Sequence, residues 1–209
     1  TLSPSSAASD VYKRQLDAYV ARLKSLRGLP ASLKAVLEQI PADAHPMDVM
    51  RTGASMLGNL ETEEGFAEQQ DKSDRMLAAF PSIINYWYRF SHDGVRIDTE
   101  TDDDSVGGHF LHLLHGKPAS ELHARVMNVS LILYAEHEFN ASTFTARVCA
   151  STLSDIHSCV TGAIGSLRGP LHGGANEAAM AMIEDWQTPE EAERELLGML
   201  ERKEKIMGF

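Results

Sequence analysis

Two polar segments of the sequence each place a histidine beside the end of a predicted helix. Residues 137–142 read His-Glu-Phe-Asn-Ala-Ser, and residues 169–177 read Gly-Pro-Leu-His-Gly-Gly-Ala-Asn-Glu. Small residues around His172 let backbone and ligand approach closely, and the helix predicted to begin after it presents its positive end to the imidazole. That field disfavours the imidazolium form. A neutral histidine in this setting can donate a hydrogen bond to a carbonyl that is becoming an enolate.

The setting of His137 is the opposite one. It follows the C-terminus of the preceding predicted helix, whose negative end favours a protonated ring. A protonated imidazole there suits a substrate carboxylate. The simpler interpretation is that His137 and His172 only fill turns, and the two residue patterns alone leave this open.

A metal site is a weaker interpretation of the histidines. His109, His112 and His115 are spaced three apart on one predicted helix. At about 100° per residue their directions span roughly 120°, so the outer pair diverges. The two cysteines, Cys149 and Cys159, form no CxxC pair and imply neither a disulfide framework nor a zinc site. We therefore expect no metal.

Composition excludes several classes of partner. The 209 residues carry 19 Lys and Arg against 30 Asp and Glu, a formal net charge of -11. This charge is unfavourable for binding nucleic acid or an anionic membrane surface. No stretch approaches the roughly 20 apolar residues of a membrane span. We expect a soluble protein with reduced thiols, which fits a cytoplasmic location.

The elements that must position the two segments are helices. From Leu16 onward, apolar residues recur at helical spacing and predict an all-α protein with no internal repeat. The predicted helices cover Leu16–Leu26, Leu33–Ile40, Pro46–Leu57, Lys72–Phe90, Ser105–Leu114, Ser120–Glu136 and Ser142–Leu167, with two more starting near Asn176 and at Thr188. Pro81 predicts a kink or break, and Val95–Ile97 a short extended piece.

Several longer stretches resemble the citrate synthase family. They are residues 45–53, 100–105, 107–116 and 134–144, together with the 169–177 loop, and the second to fourth resemble its methylcitrate synthase branch in particular. The resemblance runs from about Leu16 to Phe209. It implies a citrate synthase-like multi-helical fold, with part of the large domain at 16–170 and the start of the small domain at 171–209. Residues 1–15 match no part of the family, and we expect them to be a disordered leader.

The resemblance also implies an activity. Such an enzyme condenses propionyl-CoA, or acetyl-CoA in citrate synthase itself, with oxaloacetate and hydrolyses the thioester to free CoA. By this similarity His172 stabilises the thioester enol, and His137 with Asn140 holds oxaloacetate. Three further residues shape the site loop, namely Gly173, Gly174 and Asn176. The resemblance implies a cytoplasmic homodimer of propionate catabolism with no metal and no permanently bound cofactor.

Part of the family's catalytic set finds no match in this sequence. The family's second histidine lies in a Gly-Phe-Gly-His stretch, whereas this chain ends at Gly208-Phe209. Its catalytic aspartate and most of its substrate arginines have no counterpart that can be named. We therefore expect a chain truncated at both ends and inactive alone. The alternative is a non-catalytic helical interaction protein on the same scaffold.

Overall fold

The computed structural model describes residues 4–136 and 138–206, with side chains from Val11 onward. The described part contains ten α-helices, one short 3-10 turn and no strand, which confirms the predicted all-α class. The helices are α1 Pro4–Ser25, α2 Ala31–Leu37, α3 Pro46–Leu60, α4 Gln69–Asp93, α5 Val106–His115, α6 Glu121–Tyr134, α7 Ala141–Ala150, α8 Ile156–Leu167, α9 Ala175–Glu184 and α10 Pro189–Glu201. None of the described helices is both long and apolar enough to cross a membrane.

The core forms around α4, which packs against α1, α2, α3, α5 and α8. Its buried apolar residues recur every three or four positions, at Met76, Ala79, Ile83 and Trp87. This spacing places them on one helical face, which the core side chains of α2 and α3 cover. The other members of this cluster are Leu29, Leu33, Leu37, Val49, Leu57 and Tyr86.

Of the kink or break predicted at Pro81, the break is wrong, because α4 continues through this residue. Pro81 is buried, and the helix on both sides of it is packed into the core. Asn85 is also buried and donates from Nδ2 to the Pro81 carbonyl at 2.8 Å. Tertiary packing thus offsets the backbone hydrogen bond that a proline cannot donate. The helix ends instead at Gly94, whose φ of 69° is the left-handed conformation of a helix C-terminus.

The predicted single helix at 142–167 is two helices, α7 and α8. Leu153 adopts a φ of 62° in the connection, and Asp155 begins α8 by accepting from the Ser158 backbone N–H at 2.9 Å. The hydroxyl-rich connection offers the backbone local alternatives to a continuous helix. The result is an antiparallel helical hairpin in which α7 and α8 pack closely along their length.

The first helix begins at Pro4, earlier than the predicted start at Leu16. A helix that is already nucleated gains one hydrogen bond for each residue that it adds, which favours the extension of α1 over residues 4–15. The packed end of α1 is its C-terminal half, where Tyr19 and Arg22 bond to Asp74 on α4 at 2.8 Å each. Residues 95–97, predicted to be extended, join α4 to α5 without forming a strand.

Four helices contribute little to the core. No residue of α6, α7, α9 or α10 is buried. Many of their large apolar side chains are exposed, including Leu122, Val126, Val129, Ile132, Leu133, Phe144, Val148, Met180, Ile183, Leu197 and Leu200. We call these four helices the open layer.

Candidate active site

His172 lies in the turn that joins α8 to α9. Its backbone N–H donates to the Gly169 carbonyl at 3.0 Å, and its own carbonyl accepts from Ala175 at 3.2 Å. The Gly173 N–H donates to the Leu167 carbonyl at 2.9 Å. A Cβ at position 173 would collide with that same carbonyl, so the close approach requires glycine. The turn therefore holds His172 through backbone contacts.

The imidazole of His172 contacts the first turn of α7. Its Nε2 lies 3.3 Å from the Ser142 backbone nitrogen and 2.8 Å from the Ser142 hydroxyl oxygen. A backbone N–H can only donate, so Nε2 is an acceptor and carries no proton. In the tautomer that satisfies this contact, the ring proton is on Nδ1. No described residue forms a hydrogen bond with Nδ1, which leaves that N–H as the donor of the ring.

The helix start that meets His172 differs from the expected one. The sequence predicted that the positive end of α9 faces the ring, whereas the ring bonds to the N-terminus of α7. Asn140 begins α7 by accepting from the Thr143 N–H at 2.9 Å, and the Ser142 N–H stays free for the imidazole. The electrostatic setting is similar, since either N-terminus turns the positive end of a helix towards the ring.

Of the two predicted oxaloacetate ligands, the structure describes Asn140 but not His137. Asn140 uses its Oδ1 as the cap of α7, and this oxygen, 2.7 Å from the Ser142 hydroxyl oxygen, competes with Nε2 of His172 for the single hydroxyl proton. Its contact with substrate stays a prediction. His137 lies outside the described residues. Its neighbour Glu138 has a φ of 52°, so the backbone turns sharply between α6 and α7.

The 169–177 loop is tied to two further helices. Asn176 donates from Nδ2 to the Tyr134 hydroxyl, at the end of α6, at 2.5 Å. Glu177 lies 3.5 Å from Nε2 of His45, the residue that caps α3. The structure thus brings the loop together with the start of α7, the end of α6 and the start of α3.

A charged group lies beside this loop. Asp48 on α3 is 3.5 Å from Nε of Arg168 and 3.1 Å from a terminal nitrogen of Arg51. Two guanidinium groups share this carboxylate, and the loop itself adds a carboxylate at Glu177. The formal charges of these four side chains therefore balance.

Sequence reasoning missed Ser142, Tyr134 and Asp48 as neighbours of the loop. They lie far from it in sequence, and only the fold brings them close. For Ser142 a local signal existed. It lies two residues after a helix-capping asparagine, so its N–H points out of a helix start.

Two of the three histidines of α5 serve separate structural roles, and His115 is exposed at the end of the helix. His109 is 1% exposed, with Nδ1 3.0 Å from the Thr101 hydroxyl and Nε2 3.1 Å from the Ser82 hydroxyl. His112 bonds to Asp103 at 2.7 Å. Burial, aided by the charge of Arg27, lowers the pKa of His109 to about 4. In the part of the chain that the structure describes, no three potential metal ligands lie together.

Comparison with known proteins identifies relatives over nearly the whole chain. The family model described as citrate synthase, C-terminal domain, matches residues 10–209. A 2-methylcitrate synthase of Shewanella oneidensis is 77% identical over 93% of this chain and 52% of its own length. A citrate synthase of Heyndrickxia coagulans is 43% identical over 90% of this chain and 51% of its own length. The chain thus spans about half the length of the curated relatives it matches.

A solved structure shares the architecture. It is the citrate synthase of Thermoplasma acidophilum in ternary complex with carboxymethyl coenzyme A and oxaloacetate, with a TM-score of 0.79 and 27% identity. The match covers 91% of this chain and 51% of that one. The sequence resemblance and the helical architecture therefore point to the same group of proteins.

Proposed function

The chain belongs to the citrate synthase family, and from this we propose that the protein containing it converts propionyl-CoA, oxaloacetate and water to 2-methylcitrate and CoA. The 77% identity to the Shewanella 2-methylcitrate synthase favours propionyl-CoA over acetyl-CoA. Citrate synthase activity is the second candidate, since relatives with that name are 43% identical. The two acyl groups differ by one methylene, which is worth about 1 to 3 kcal/mol of discrimination.

The observation that carries the proposal is the hydrogen bond from the Ser142 N–H to Nε2 of His172. It leaves Nδ1–H as the donor that polarises the thioester carbonyl. Negative charge develops on that oxygen as a base removes the α-proton, so the hydrogen bond strengthens in the transition state. The resulting enol carbon attacks the ketone carbon of oxaloacetate, and water then hydrolyses the thioester. The chemistry needs no metal.

The base is an aspartate in this family, and no residue of the chain can be matched to it. His137 and Asn140 are proposed to hold the oxaloacetate carboxylates. The guanidinium groups of Arg51 and Arg168 supply cations beside the loop with which a substrate carboxylate can pair. We assign residues 16–170 to part of a large domain and residues 171–209 to the start of a small, mobile one.

Domain closure in such an enzyme excludes water from the reacting centre. The lack of buried residues in α9 and α10 supports their belonging to a domain completed by other residues. The exposed apolar side chains of α6 and α7 support a homodimer, because a second copy would cover such surface. The proposed setting is propionate catabolism in the cytoplasm.

A chimera tests the activity. The chain replaces the matching segment of the Shewanella relative, and CoA release is followed with each acyl-CoA. We expect kcat/KM for propionyl-CoA to exceed that for acetyl-CoA by about tenfold or more. The reverse preference would make the chain part of a citrate synthase instead.

Calorimetry separates an enzyme from a non-catalytic scaffold protein. Oxaloacetate is titrated into the chimera and into its His137→Ala variant. We expect binding heat with the first and weaker binding with the second, because a substrate carboxylate loses its partner. No heat from either protein would support the scaffold alternative.

A further inference from the structure

The two cysteines of the chain lie on facing helices at the closed end of the α7–α8 hairpin. Near the middle of the hairpin, a Cβ built on Gly162 lies 3.6 Å from the Thr145 side chain, so these positions oppose each other. Cys149 lies one helical turn after Thr145 on α7, and Cys159 lies one turn before Gly162 on the antiparallel α8. The register therefore places the two thiols opposite one another.

The surroundings of the two thiols differ. Cys159 is 4% exposed, and its sulfur lies 3.9 Å from the Ser154 carbonyl oxygen. Cys149 is only half-buried, so it is the more accessible of the two. Burial, followed by the neighbouring Cys149 thiol, raises the pKa of the Cys159 thiol to about 11. The carboxylates of Asp155 and Glu63 act in the same direction.

We propose that Cys149 and Cys159 are an oxidation site, which closes to an intramolecular disulfide by exchange with a low-molecular-weight disulfide such as oxidised glutathione. Both thiols are free in the structure. The alternative product is a mixed disulfide between one cysteine and the small molecule. The facing thiol resolves this mixed disulfide and releases the small molecule. The proposal concerns a pair of side chains that the proposed condensation does not use.

The reaction proceeds in two exchanges. The Cys149 thiolate attacks one sulfur of glutathione disulfide, forming a mixed disulfide and releasing one glutathione. Cys159 then loses its proton to solvent and attacks the Cys149 sulfur, which breaks the mixed disulfide and releases the second glutathione. The two protein thiols give up two protons and two electrons, and glutathione disulfide takes them up as two thiols.

The second exchange is the slow one, because thiolate is the nucleophile and the pKa of Cys159 is raised. We therefore expect closure to accelerate as pH rises above neutral. The product fixes the closed end of the hairpin. At the open end of the hairpin, Ser142 lies at the start of α7, and His172 lies in the turn that follows α8. The disulfide therefore stiffens the two helices that hold the contact between Ser142 and His172.

Intact-mass measurement of the 209-residue chain tests the proposal, since no other cysteine is present. The chain is incubated with glutathione disulfide, and remaining thiols are alkylated after an acid quench. We expect the loss of both alkylatable thiols and of two hydrogens from the mass, with no glutathione attached. A stable glutathione adduct on the unsubstituted chain, or covalent dimers in its place, would overturn the proposal.

Two matched variants identify the order of attack. Cys159→Ser should accumulate a glutathione adduct on Cys149, because the resolving thiol is missing. Cys149→Ser should react much more slowly, because its remaining thiol is buried and protonated. Equal reaction rates for the two variants would contradict the assigned order and the environments on which it rests.

A comparison with the unfolded chain isolates the effect of the fold, since two cysteines this close in sequence can also pair in a coil. The fraction of disulfide is measured at fixed ratios of reduced to oxidised glutathione, in buffer and in concentrated guanidinium chloride. We expect the native equilibrium constant to be higher by about tenfold or more, which corresponds to a potential lower by about 30 mV. An equal or lower value in buffer would refute the facing arrangement.

Discussion

The helices around α4 and the open layer differ in what holds them. Around α4, apolar side chains from α2 and α3 form a buried core in which Trp87 is 2% exposed. The open layer has no buried residue, yet it supplies Ser142 and Tyr134, two of the contacts of the 169–177 loop. The residues that stabilise the fold and the residues that form the candidate site therefore lie in different parts of the molecule. The site is assembled from capped helix ends and backbone turns, and not from core packing.

The largest expected effect of a substitution lies in the core. Trp87→Ala removes a fully packed indole and should lower the free energy of unfolding by about 3 to 5 kcal/mol. Leu133→Ala in the open layer, where the side chain is 61% exposed, should change it by no more than about 0.5 kcal/mol. Urea unfolding of the chain measures both. Similar losses in the two variants would contradict the difference between the core and the open layer. If Trp87→Ala does not fold, Ile83→Val is the milder core substitution.

Acid should destabilise the core through His109. The unfolded state has a pKa near 6.5 and binds a proton before the folded state, whose pKa is lowered to about 4. Stability is therefore full above about 6.5 and is lost as pH falls towards about 4. At about 1.4 kcal/mol per pKa unit, the loss is on the order of 3 kcal/mol.

The charged and titratable groups that face this ring are Arg27, Asp103 and His112. The charge of Arg27 lowers the pKa of His109 further. His109→Gln keeps a donor and an acceptor for Thr101 and Ser82 but cannot titrate. Unfolding free energies across this pH range should show a smaller slope for the variant. Part of the slope should remain, because burial also lowers the pKa of His157. Identical slopes would contradict the assignment to His109.

In the turn that leads into the open layer, Gly173→Ala should affect catalysis far more than stability. The new Cβ meets the Leu167 carbonyl and displaces His172, and a displacement of about 1 Å can cost roughly 100-fold in rate. The chimera should lose kcat while the unfolding free energy of the chain changes little. Gly65→Ala is the matched control, because a Cβ there meets no atom. Equal kcat for the two variants would show that the turn does not position the histidine.

Ser142→Ala should have the smallest effect. It removes the hydroxyl at 2.8 Å from Nε2 but keeps the backbone N–H, so kcat should fall roughly five- to tenfold. Ser142→Thr should restore most of the rate, whereas a merely structural role predicts no such rescue. Thr143→Ala, next in the same helix turn, serves as the control. A loss as large as that of Gly173→Ala would mean that the hydroxyl, and not the backbone, orients the ring.

Much of the fold could be predicted because its signals are local. Ser105, Ser120 and Thr188 each begin a helix as predicted, since a hydroxyl that caps the backbone acts within three residues. The similarity to the citrate synthase family is likewise confirmed over residues 10–209. The continuity of α4 at Pro81 was not predictable, because core packing on both sides decides it.

The candidate site was predictable only in part. The glycines around His172 indicated a tight turn, and the turn forms. The partner of the imidazole was not predictable, since Ser142 lies 30 residues away and reaches the ring only because α7 and α8 fold back as a hairpin. The roles proposed for His137 and Asn140 in substrate binding, and for Asn176 in the site loop, remain predictions.

The central claim is that a neutral imidazole at position 172, held through Nε2, donates its other N–H to the thioester. The most direct measurement is kcat of the chimera with propionyl-CoA before and after His172→Ala, with oxaloacetate binding followed in parallel. We predict a fall of about 100- to 1,000-fold in kcat with oxaloacetate binding retained. An undiminished kcat would contradict the claim.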